Sequence, residues 1–72
     1  MFRYNMINKN NTEMKSEVAK GEILYKLYIG DFIYKSGISP IIGANGVSWI
    51  EITFNGVKGW IDMSRLANAT KH

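Results

Sequence analysis

The chain has no cysteine, a single proline and a single histidine, His72, which is its last residue. Without cysteine there is neither a disulfide staple nor a thiolate zinc site, and one terminal imidazole assembles no metal cluster. Long apolar runs are also missing. Nothing approaches the roughly 20 residues of a membrane helix, and the opening MFRYNMINKNN lacks the apolar segment of a secretory signal. These absences lead to the expectation of a cytoplasmic chain with no membrane partner, no cofactor and no metal.

What is present is short and moderately apolar. The 72 residues, 46% of them hydrophobic and 21% charged, suit one folded domain rather than a disordered chain. A chain of this size buries only about 60% of its unfolded surface, so its core is thin and self-association is one way to gain buried area. The net charge of +3 comes from basic residues scattered singly between Arg3 and Lys71, which reads as a solvated surface rather than a nucleic-acid tail. The richness in Asn, Ile and Lys suggests an AT-rich bacterial or phage gene.

Along the chain, residues 1–12 form an N-terminal extension and 13–70 the body. Phe2, Tyr4 and Met6 alternate on one side before the polar NKNN, so residues 2–7 read as a strand added to a sheet edge or to a partner, or else as a tail. A homodimer through residues 1–7 is the self-association this pattern allows. EMKSEVAKG reads as a short strand and loop, EILYKLY and FIYKS as strands, and IGD as the turn between them. Tyr25, Tyr28 and Tyr34 are then strand residues suited to cross-strand packing.

GISPIIGANG holds three glycines and the proline, which forbids a long helix. Its Ile38, Ile41 and Ile42 are expected to fold back over the core; the alternative is an exposed contact patch.

The clearest local signal is SWIEITFNGVKGWID. Asn55-Gly56 fits a two-residue hairpin turn that needs positive φ at both positions, so the flanking segments are antiparallel neighbours. Ile50, Ile52 and Phe54 share one face with Val57, Gly59 and Ile61, the core face. Trp49, Glu51 and Thr53 share the other with Lys58, Trp60 and Asp62. In the following DMSRLA, Asp62 and Ser64 suit a single 3-10 turn, and Leu66 points inward.

The ordered series Trp49, Ile50, Ile52, Asn55-Gly56, Gly59-Trp60, Ile61 and Leu66 resembles the second half of the bacterial SH3-like (SH3b) domains. Met14-Lys15-Ser16 stands where that family has a short strand ending in Arg-Ser, and Leu27, Gly30, Asp31 and Ile33 fall at its strand, turn and strand positions. The likeness covers residues 13–67. Five or six short strands with Gly-rich turns already make the chain all-β, a small barrel or sandwich; the resemblance implies a small SH3-like barrel of five to six short antiparallel strands with a single 3-10 turn before the last. Lys35 departs from it, standing where the family prefers a β-branched apolar residue, so a bulge or register shift is expected near Tyr34. The loop 37–46 is longer than usual. Asp62 and Arg65 occupy positions where the eukaryotic branch has the aromatic and proline residues that read polyproline helices, which argues against that ligand.

Catalytic chemistry has little support. No Ser or Thr has a histidine within the body, and Glu13, Glu17, Glu22, Asp31, Glu51 and Asp62 show no paired spacing. The hairpin glycines precede no helix that would cradle phosphate. A non-enzymatic binding face fits better: Trp49 and Trp60 with Glu51, Lys58, Asp62 and Arg65, joined by Ile41 and Ile42 of the loop. The alternative for either ring is to close the open end of the barrel beneath the loop or residues 1–7. Three ligand classes follow in order. A protein or peptide partner comes first. Cell-wall peptidoglycan, which SH3b modules often bind, comes second. Single-stranded nucleic acid on a basic barrel lined by Lys26, Lys35, Lys58 and Arg65 comes third.

Overall fold

Asn55 and Gly56 take φ values of 54° and 79°, the left-handed pair that a type I′ turn demands. In the computed structural model, which describes residues 5–67, this turn joins β6 (Ser48–Phe54) to β7 (Val57–Asp62) in an unbroken antiparallel register from Trp49↔Asp62 to Phe54↔Val57. The other strands are β1 (Asn5–Ile7), β2 (Thr12–Glu17), β3 (Lys20–Leu27), β4 (Phe32–Lys35), β5 (Ile41–Ile42) and β8 (Leu66–Ala67). A 3-10 turn, Met63–Arg65, precedes β8. The strands form one antiparallel sheet in the order β3-β2-β7-β6-β4-β1-β8, with β5 on β6. The fold is thus small, all-β and barrel-like. Its strand number rises to eight because residues 5–7 and Ile41–Ile42 also pair.

Inward alternation gives each longer strand one or two core residues. Ile7, Met14, Leu27, Ile33, Ile50, Ile52 and Ile61 are buried, and Leu24, Tyr25, Phe54, Val57 and Leu66 pack around them. Each aliphatic side chain removed from water contributes about 1.5–3 kcal/mol. Gly59 lets β2 approach β7 closely: a Cβ there would stand 2.8 Å from Met14 Cε and 2.9 Å from the Lys15 carbonyl oxygen.

The described part of the N-terminal segment lies inside the sheet. β1 pairs with β4 on one side and β8 on the other, Ile7 is fully buried, and Asn5 Nδ2 donates to the Ala67 carbonyl at 3.1 Å. The buried face of β1 therefore carries Asn5 and Ile7 rather than Met6, and both its sides are taken within the chain. Phe2 and Tyr4, the other residues of that alternation, lie outside the described residues, as does His72. The Asn run makes a turn, with Asn11 at φ 59° and the Asn10 side chain accepting from Ile29 N at 2.9 Å.

Two expectations are corrected. The register of β4 on β6, Tyr34↔Thr53 and Lys35↔Ile52, runs without a shift. The irregularities fall instead between β2 and β3, at Met14/Lys15 and Lys15/Glu17. Lys35 is accommodated because β4 ends there: it sits beside buried Ile52 but is itself exposed, and Ser36 N already donates to the Glu51 carbonyl at 3.1 Å. The loop isoleucines do not fold back over the core. Ile38, Ile41 and Ile42 stay 50%, 44% and 72% exposed, because Ile41 and Ile42 pair at the rim of β6, beyond the reach of the inward faces.

Candidate binding face

Residues directly opposite in an antiparallel pair point to the same side of the sheet, so the register lays out the outer face in rows. One row runs Ile41, Trp49, Asp62; the next runs Glu51, Trp60, Lys15; a third runs Tyr34, Thr53, Lys58. Trp49 and Trp60 thus share the outer face in adjacent rows. Ile42, opposite Ser48, points to the other side.

A cleft of about 290 Å³ opens at the Trp49 end. One wall is its hairpin side, lined by Trp49, Asp62 and Arg65, and the other its N-terminal side, lined by Asn11, Thr12 and Glu13. Each wall carries its own hydrogen bonds. Asp62 caps the 3-10 turn, its Oδ1 accepting from Ser64 N at 2.9 Å and Ser64 Oγ at 2.8 Å, which sets the carboxylate beside the cleft. The turn in turn presents Arg65, whose Nη1 donates to the Asn10 carbonyl at 3.4 Å. On the N-terminal side, buried Thr12 donates its hydroxyl to the Lys9 carbonyl at 2.6 Å, closing the Asn turn. Glu13 makes a loose ion pair with Lys15 at 3.7 Å, the one ion pair among the described residues.

Trp49 is half-buried, and its indole N–H is fully covered with no acceptor. The cover is Gly43: a Cβ built there would lie 3.2 Å from Nε1 and 3.6 Å from the Ala19 methyl. One edge of the ring is therefore tucked beneath the loop while the residue also lines the cleft. Trp60, also half-buried, stands in the adjacent row and does not line the cleft. The ring pair among the described residues is Tyr25 with Phe54, edge to face at 5.3 Å and 75°. Tyr28 and Tyr34 are exposed.

The structure therefore brings Trp49, Asp62, Arg65 and Ile41 together, carries Trp60, Glu51 and Lys58 along the same face, and turns Ile42 away. Asn11, Thr12 and Glu13 were not legible as site residues, because only the register of β2 against β7 carries them there. The cations Lys26, Lys35, Lys58 and Arg65 are spread apart: Lys26 lies opposite Glu13, Lys35 opposite Ile52 and Lys58 opposite Thr53. Among the described residues no group of three His, Cys, Asp or Glu is placed to hold a metal ion, and no helix is long and apolar enough to cross a membrane. No family model matches the chain, and searches of curated proteins and of solved structures find no match.

Proposed function

We propose that the chain is a non-catalytic SH3-like binding module that takes a protein or peptide segment on the face around Trp49 and Trp60. The observation that carries this reading is the cleft at the Trp49 end, where an indole wall meets Asp62, Arg65 and Glu13. Such a lining pairs apolar contact area with groups of both charges. It therefore suits a ligand that offers apolar surface and polar main-chain groups together. Asp62 and Arg65 supply no stacked rings, which disfavours proline-rich helices.

The test is selection of peptides from a random displayed library on the immobilised full chain, followed by titration of the recovered peptides. Wild-type binding that falls at least tenfold in Trp49→Ala, with the β-sheet circular dichroism retained, is the expected result; tenfold corresponds to about 1.4 kcal/mol. Recovered peptides that bind Trp49→Ala as tightly as wild type would overturn the reading.

A further inference from the structure

The strand order ends in β3 and β8, with β5 branching off β6, and the free sides of β3 and β5 are treated differently. β3, at one end of the strand order, is the longer rim and carries Lys20, Glu22 and Lys26, with the register broken twice along its pairing to β2. Charges and bulges of this kind keep an exposed strand from pairing with another chain. β5 carries neither charge nor bulge; it is only two residues long and follows Pro40, so a contact there is made by side chains more than by main-chain pairing. It pairs with β6 on one side, and among the described residues no strand pairs with its other side. Between Lys35 and Glu51 the sequence contains no charged residue at all. Within that stretch Ile38, Ile41 and Ile42 expose apolar surface next to the free strand side.

We infer that this rim is a self-association surface: two copies of the chain meet at the β5 rim about a twofold axis, with the Ile38 and Ile42 side chains of each packed against the other. A twofold contact sets each surface against itself, so a charged patch would face its own sign. The 35–51 stretch avoids that penalty, whereas the β3 rim, with Lys20 and Lys26, would not. The same contact supplies apolar burial to a chain whose buried apolar core, among the described residues, is seven side chains. Because Ile42 points away from Trp49, the contact leaves the cleft open. Residues 1–7, whose alternation allows a dimer, have no free strand side in their described part.

Sedimentation velocity on the full chain, from micromolar to millimolar concentration, tests this. The expected result is a concentration-dependent rise from the 8.2 kDa monomer to twice that mass. Ile42→Lys and, separately, Ile38→Lys should remain monomeric with unchanged circular dichroism, while Ile23→Lys on the β3 rim should dimerise like wild type. Amide signals of residues 38–42 should broaden with concentration in wild type. A wild-type chain that stays monomeric at millimolar concentration overturns the inference, whether or not the rim binds some other protein. So does dimerisation that survives both lysine variants.

Discussion

The two walls of the cleft differ in origin. The wall of Trp49, Asp62 and Arg65 belongs to one hairpin and the 3-10 turn that follows it, so its geometry is set by a single continuous stretch around the Asn55-Gly56 turn. The wall of Asn11, Thr12 and Glu13 is positioned by contacts far away in sequence: Asn8 N donates to the Arg65 carbonyl at 2.8 Å, and Lys15 registers against Trp60. A local wall forms wherever its turn forms. The distant wall exists only when the whole sheet has closed, which makes the cleft a reporter of the complete fold.

That difference can be broken first at the core beneath each wall. Ile52→Ala under the hairpin and Ile7→Ala under the N-terminal wall both empty fully buried sites and should each cost about 2–5 kcal/mol in urea unfolding. Equal costs would show that residues 5–12 are as much part of the body as the hairpin. A loss below about 1 kcal/mol for Ile7→Ala would show that the N-terminal wall is an attachment.

Polar substitutions sharpen the contrast at smaller scale. Gly56→Ala forces a side chain into φ 79° and should cost about 1 kcal/mol or more, mainly by weakening the hairpin. Thr12→Val removes the hydroxyl that satisfies the Lys9 carbonyl and should also cost about 1 kcal/mol. Amide exchange separates the two. The first variant should speed exchange along β6 and β7, the second near residues 8–13. Lys15→Ala should change stability by less than about 0.5 kcal/mol, since its ion pair with Glu13 is long and solvent-screened. A larger loss there would mean that its aliphatic stem packs on Trp60.

The same division explains what the sequence disclosed. The Asn-Gly turn, the two-residue alternation of Ile50, Ile52 and Ile61, the Asp62 cap and the inward Leu66 are short-range features with one low-energy solution each, and all were readable. The irregularities of β2 were not, since they belong to its pairing with β3, where Glu22 N donates to Ser16 Oγ, rather than to propensity. The loop isoleucines misled for a related reason. Apolar content argues for burial, yet where Ile41 and Ile42 finish depends on which side of β6 is still open. Half of the cleft lining was hidden likewise, because an Asn-rich run shows that a turn exists and not what it faces.

The central claim is that both walls act on one ligand. The most direct measurement is a two-dimensional NMR titration of the labelled full chain with a peptide selected on it, following the Trp49 and Trp60 indole N–H signals and the amides of Asn11, Thr12 and Glu13. The Trp49 indole and the three amides are expected to shift together along one saturation curve, with the core amides of Ile50, Ile52 and Ile61 unmoved. Saturable binding that leaves the Trp49 indole and those amides in place would contradict it and move the ligand site elsewhere on the sheet.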